Sequence, residues 1–348
     1  MERKSVTMKS RFAGGMVFIA VLLAACSSDN GSETEELTLE DPSLLTKTTV
    51  DFQGDDFFTE AEKIEVTHIH GLGYAGNEDV IYFSTHEGIA YYDDGTWYSP
   101  SAEFNDYMGF NAVEDGFYAS GHPGRNSKFG NIDPFGIVKS VDGGKNIYAL
   151  DLLEEIDFHV KGVGYYTNAI YAYNPYPNSR MSDMGLYYSL DDTETWTKSE
   201  MINLPEEVYD AGNHPRYFIA VHPRQENVVA FATSQGLYLS EDYGDNFSPT
   251  NIRVPVITMT YFEDDLYMSV WTGQIELIRL AADGNIASLP IPEMDEQDAI
   301  QYIAVNPNDQ QEIVYMTYMG DAHISYDGGN TWTQLIEKTS TISGESGA

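Results

Sequence analysis

Ser325-Tyr326-Asp327-Gly328-Gly329-Asn330-Thr331-Trp332 is the stretch that decides the fold. Its composition is that of a tight turn. The Ser and Asp side chains can bond turn backbone, Gly takes a positive φ, and Trp packs between sheets. The pattern Ser-x-Asp-x-x-x-x-aromatic recurs at Ser189-x-Asp191 with Trp196, at Ser240-x-Asp242 with Phe247, and at Ser140-x-Asp142 with Tyr148 one place late. A shortened copy runs from Tyr92 to Trp97 through Asp94, and a relic is Asp283-Gly284. The markers Asp94, Asp142, Asp191, Asp242, Asp283 and Asp327 lie roughly 41 to 51 residues apart, the length of a four-stranded blade.

Working outward from the last turn, strand signals fall at Ile300–Val305, Glu312–Thr317, Ala322–Tyr326 and Thr331–Leu335, separated by Asn306-Pro307-Asn308-Asp309 and by the turn itself. Short runs rich in Val, Ile, Tyr and Thr, broken at this spacing, predict an all-β chain. Six such units begin near His68, Tyr107, Val160, Arg216, Val256 and Gln301. The expectation is a six-bladed β-propeller over residues 50–338, or seven blades if residues 47–66 build a further strand set. A small polar tail, 339–348, follows.

These turns resemble the Asp boxes (BNR repeats) of sialidases, sortilin-type receptors and photosystem assembly factors, all of them propellers. The resemblance implies that each box staples the hairpin between the third and fourth strands, on the face opposite the usual ligand site. It therefore speaks for fold and not for function. A fuller string, His68-Ile69-His70-Gly71-Leu72-Gly73, Tyr107-Met108-Gly109-Phe110, Ser120-Gly121-His122-Pro123, Pro134-Phe135-Gly136 and Asp157-Phe158-His159, resembles a group of bacterial secreted proteins labelled glycosyl hydrolase. A sialidase needs an arginine triad, a Tyr-Glu nucleophile pair and an Asp acid/base. The Arg-Ile-Pro signature is absent here, and Arg125, Arg180 and Arg216 lack motif support, which argues against sialidase activity.

The N-terminus carries a separate message. Arg3, Lys4, Lys9 and Arg11 precede an apolar run from Ala13 to Leu23, the pattern of a signal peptide over residues 1–25. Leu23-Ala24-Ala25-Cys26 resembles the lipobox of bacterial lipoproteins, which implies lipidation at Cys26, or else an uncleaved anchor. Residues 26–49 then form an acidic tether. The predicted location is the extracytoplasmic face of the cell membrane, with membrane contact through the lipid alone. Cys26 is the single cysteine, so burial rather than a disulfide must hold the fold. A net charge of −37 repels nucleic acid and acidic glycans, and it suits a salty or alkaline medium. A monomer is expected.

Strand direction alternates within a blade, so second-to-third loops share a face with the connections that lead into each inner strand. Aligning Gly71, Gly109 and Gly162 puts His68, Asp106 and His159 at one equivalent position, and His86, His122 and His214 fall in loops of the same face. The long loops Gly121–Pro134 and Asn174–Gly185 lie there too. His68, His70, Asp106, His122, Asp157, His159 and Arg216 are thus the candidate funnel site. Two chemistries remain open for it. His68, His122 and His159 can hold a divalent metal such as Zn²⁺ or Cu²⁺, or the histidines pair with backbone and carboxylates and close the channel. The functional expectation is a binding or assembly module for a glycan, an envelope protein or an ion. The alternative is a glycoside hydrolase using Asp106 and Asp157.

Overall fold

Each blade is an antiparallel sheet because its strands are too short for crossovers and are joined by turns that reverse the chain. The computed structural model describes residues 45, 56–66, 69–77, 79–209 and 217–342. Among them six antiparallel sheets follow one another in chain order, as the repeat predicts, and the architecture is a six-bladed β-propeller. The inner strands are Ile69–Gly73, Phe104–Val113, Lys161–Val163, Phe218–Val221, Val256–Phe262 and Ile300–Asn306. A single helical turn, Glu206–Tyr209, joins blades 3 and 4.

Of residues 47–66, the described part, 56–66, does not build a seventh blade. Their described strand, Phe58–Ala61, adds to the outer edge of blade 1, with Phe58 opposite Pro100. Ser340–Thr341 adds likewise to the outside of blade 6, so the sheet runs past residue 338. The first and last segments of the propeller then meet: Val66 N donates to Thr339 O at 2.6 Å and Thr341 N to Ile64 O at 3.1 Å, tying blade 1 to blade 6. Cys26, the signal peptide and the tether lie outside the described residues.

The core is divided into wedges between neighbouring blades rather than gathered in one centre. Blades 6 and 1 share Phe83, Trp97, Val314 and Leu335. Blades 2 and 3 share Tyr118, Ile137 and Phe158. Blades 3 and 4 share Tyr171 and Phe231, blades 4 and 5 share Leu237 and Met268, and blades 5 and 6 share Tyr267 and Tyr315. Most wedges are built on aromatics, which span two twisted sheets with few residues, whereas the buried wedge between blades 4 and 5 is aliphatic.

The four full Ser-x-Asp turns carry the same bonds. Ser140, Ser189, Ser240 and Ser325 are buried. Each accepts from the backbone amide four residues on, at 2.8 Å for Gly144, 2.9 Å for Thr193, 2.9 Å for Gly244 and 2.8 Å for Gly329. Each also donates to the partner carboxylate, as Ser325 does to Asp327 at 2.8 Å. Asp327 in turn accepts from the amide and the hydroxyl of Thr331, and these bonds hold its pKa down at about 2. Trp196 reaches Asp151 of blade 2 at 2.9 Å and Trp332 reaches Pro290 O at 2.6 Å, so the turn aromatics also link blades. All four turns join third to fourth strands.

Candidate functional site

The opposite face carries His70, His86, His122 and His159. The six inner strands begin there and surround a cavity of about 200 Å³ that has His70 and His159 at its start and Tyr165, Tyr166, Pro223 and Glu263 at its far end. At that far end the Arg224 guanidinium lies 3.9 Å from the centre of the Tyr166 ring and is held by Glu263 at 2.8 and 2.9 Å.

His70 is a bulge residue. Ile69 pairs with Thr85 and Gly71 with Ser84, a register shift at His70 that re-aims its side chain. It meets His86, which follows the second strand of the same blade: their Nε2 atoms are 3.3 Å apart. Asp106, from the inner strand of blade 2, completes the group. Its Oδ1 lies 3.3 Å from His70 Nε2 and its Oδ2 lies 2.7 Å from His86 Nδ1. In the tautomer whose Nδ1–H donates to Asp106, His86 turns the lone pair of Nε2 toward His70. Among the described residues this is the one group of three whose ligand atoms all lie within 4.8 Å.

A second cluster sits one blade on. His122 Nδ1 is 2.5 Å from Asp133 Oδ1, and its Nε2 is 3.3 Å from Asp157 Oδ2. His159 Nε2 reaches the same oxygen at 2.7 Å. Burial opposes charge on His122, but the Asp133 hydrogen bond and the charges of Asp157, Asp133 and Asp106 win and raise its pKa. The bond to Asp157 raises that of His159 against burial, with Asp157 and Asp106 adding their charges. Asp106 and His122 are direct partners across the blade 2 ladder, so the two clusters adjoin.

Small residues make this approach possible. A Cβ on Gly121, at φ +129°, would sit 1.9 Å from Asp106 O, and one on Gly109, at φ +53°, would sit 2.3 Å from Phe158 O. Ser120 locks the remaining pieces. Its buried hydroxyl donates to Gly136 O at 2.6 Å and accepts from Phe158 N at 2.9 Å, between Asp157 and His159.

Of the expected funnel residues, His70, Asp106, His122, Asp157 and His159 come together, while His68, His214 and Arg216 lie outside the described residues. Of the expected metal set His68, His122 and His159, the last two both reach Asp157 and the first lies outside the described residues, and the compact trio is a different one. His86 and Asp133 take part without having been assigned a role, and Ser120 was legible only as part of a motif. Of Arg125, Arg180 and Arg216, the two that are described are engaged elsewhere: Arg125 lies over Phe104 and 3.5 Å from Glu87, and Arg180 bonds Asp151, Thr193 O and Glu194 O. His222, on Asp264 at 2.8 Å, and His323, stacked on Tyr315 with its pKa lowered by burial, are structural.

No family model and no curated protein matches the sequence. Solved propellers are similar in fold. The GH74 xyloglucanase from Xanthomonas campestris is 16% identical, with 80% of this chain and 46% of that one covered at a TM-score of 0.49. The GH74 enzyme of Niastella koreensis is 16% identical over 80% and 47%, also at 0.49. YCF48 bound to D1 peptide is 15% identical over 81% and 84%, at 0.45. The chain spans about half the length of the two GH74 chains. At these identities the likeness concerns the fold alone.

Proposed function

We propose that this protein is a lipid-anchored, extracytoplasmic propeller of the Asp-box kind whose mouth binds a divalent transition-metal ion, Zn²⁺ or Cu²⁺, through His70, His86 and Asp106. One observation carries the reading. The edges His70 Nε2 to His86 Nε2 and His70 Nε2 to Asp106 Oδ1 are both 3.3 Å. An ion bound tetrahedrally at 2.0–2.1 Å separates its ligand atoms by about 3.3–3.4 Å. Asp106 Oδ1 is buried without a hydrogen-bond partner, as an oxygen reserved for a cation would be. The net charge of −37 would concentrate cations at the mouth. Three protein ligands leave a position open to water or to a donor from a glycan or protein partner.

The Asp-box assignment is supported by the shared bonding of the four Ser-x-Asp turns, and the anchor by the sequence around Cys26. Glycoside hydrolysis by Asp106 and Asp157 would require one of them to act as an acid. Each is instead engaged by two imidazoles, so the arrangement speaks for holding a cation.

The test is metal analysis of the purified mature protein, followed by melting with added Zn²⁺. Binding at a hundred times Kd stabilises by about 2.7 kcal/mol, and His70→Ala with His86→Ala should remove that gain. A metal-free protein whose melting temperature ignores Zn²⁺ and Cu²⁺ would overturn the reading.

A further inference from the structure

The register shift that re-aims His70 recurs at the same place in blades 5 and 6. In blade 5, Val256 pairs with Val270 and Thr258 with Ser269, and in blade 6, Ile300 pairs with Thr317 and Tyr302 with Met316. In blade 1, His86 follows Thr85, the residue opposite Ile69. Its counterparts are Trp271, after Val270, and Tyr318, after Thr317. Their backbones are set alike. Trp271 N donates to Pro255 O at 2.9 Å and Tyr318 N to Ala299 O at 3.0 Å, each carbonyl standing just ahead of an inner strand. Both rings therefore stand on the mouth face, in successive blades, at the position that His86 takes in the next blade round.

These rings are not core aromatics. Trp271 is 44% exposed, Tyr318 59% and its neighbour Met319 45%. One exposed apolar side chain is ordinary, whereas two aromatics at equivalent positions of neighbouring blades make a paired surface. The tip that bears Tyr318 and Met319 is also held in place, since Asp298 Oδ1 accepts from Met319 N at 3.0 Å and from Ala299 N at 2.8 Å.

Charge selects the occupant. Residues 254–337 build the four principal strands of each of blades 5 and 6, and they hold 14 Asp and Glu against one Arg and no Lys. That one cation, Arg279, is held by Asp265 at 2.7 Å. Glu293, Asp295 and Glu296 lie exposed on the connection into the inner strand of blade 6, which shares the mouth face. An aromatic face attracts a cation through its quadrupole, Trp most strongly, and the surrounding carboxylates draw the same charge. An acidic partner is repelled, and a neutral glycan gains nothing from the long-range field.

We infer that Trp271 and Tyr318 form a docking surface for a basic segment of a protein partner, whose arginine or lysine side chains stack on the two rings. The surface goes beyond the ion site and does not require the ion.

The experiment is calorimetric titration of the mature protein with an octa-arginine peptide at low salt, with chelator present so that no ion contributes. Trp271→Ala with Tyr318→Ala removes both rings and keeps every carboxylate, so affinity should fall about tenfold, the sum of two exposed cation–π contacts. Tyr318→Phe, which keeps the ring, should bind as the parent does. Tyr326→Ala, which removes an exposed ring on the opposite face, should also bind as the parent does. Near-UV circular dichroism checks that each variant is folded, and Trp271→Ala alone, with a loss of about threefold, serves if the pair does not fold. A peptide that fails to bind, or that binds the ring-free variant as well as the parent, overturns the inference, the latter result leaving unspecific charge attraction. Cellohexaose binding that depends on the two rings, with peptide binding indifferent to them, overturns it in favour of a neutral glycan.

Discussion

The amide of Phe158 donates to the hydroxyl of Ser120 at 2.9 Å, across the boundary between blades 3 and 2. Through Gly136 O the same hydroxyl also holds the end of the long loop that carries Asp133. One buried side chain thus sets the relative positions of His122, Asp133, Asp157 and His159. Ser120→Ala would strand an amide and a carbonyl, at a cost of about 1–3 kcal/mol. Urea denaturation should show that loss, and Zn²⁺ titration should show little change at His70 and His86.

On the other face, Ser325→Ala should cost a similar amount, about 1–3 kcal/mol, because Gly329 N loses its acceptor. Ion binding at the mouth should be unchanged, since the turn joins the third and fourth strands and the histidines stand at the other end. Loss of ion binding with stability intact would contradict this separation of faces.

The same turns govern behaviour in acid. The backbone and side-chain bonds from Thr331 hold Asp327 down at about 2, and the bonds from Asn246 lower Asp242. Asp191 is lowered by its Thr195 and Ser189 bonds despite a desolvation effect that opposes them. For a depressed carboxyl the stabilisation is present above the unfolded pKa, near 3.9, and is lost as pH falls through the folded value. Melting temperature should therefore drop between about pH 4 and pH 2, and Asp327→Asn should flatten that limb while lowering stability at pH 7. A melting curve indifferent to pH over this range would contradict it.

Lys161 is buried on the inner strand of blade 3, its Nζ without a hydrogen-bond partner and 6.0 Å from the centre of the Tyr118 ring. Desolvation lowers its pKa to about 7. The unfolded chain binds this proton more tightly, so the lysine destabilises the fold fully below pH 7 and progressively less up to its ordinary value near 10.4. Lys161→Met should stabilise the propeller by about 1–3 kcal/mol at neutral pH, less at pH 10. Denaturant melts at the two pH values check both sign and trend.

Cys26→Ala should leave the precursor unlipidated and shift the protein from the membrane to the soluble or precursor fraction, because the anchoring proposed here depends on that thiol. Intact mass and fractionation measure it, and an unchanged result in both would contradict the anchor.

The sequence by itself determined what is local. A Ser-x-Asp turn needs only residues within five positions of one another, so the turns around Asp142, Asp191, Asp242 and Asp327, the blade length and the six-fold count were legible from one chain. The face bearing the histidines followed too, since strand alternation fixes it. The partners were decided only by the tertiary structure. Alignment on Gly71, Gly109 and Gly162 put His68, Asp106 and His159 at one equivalent position around the ring, but it could not show the bulge at His70 that re-aims that side chain toward His86. Ring closure then brings Asp106 of the next blade to both. A bulge depends on the opposing strand, and the meeting of His122 with Asp157 depends on how closely two sheets pack at Gly109 and Gly121. Such contacts join residues far apart in the chain, and their geometry is set by the packing of whole sheets rather than by any local preference.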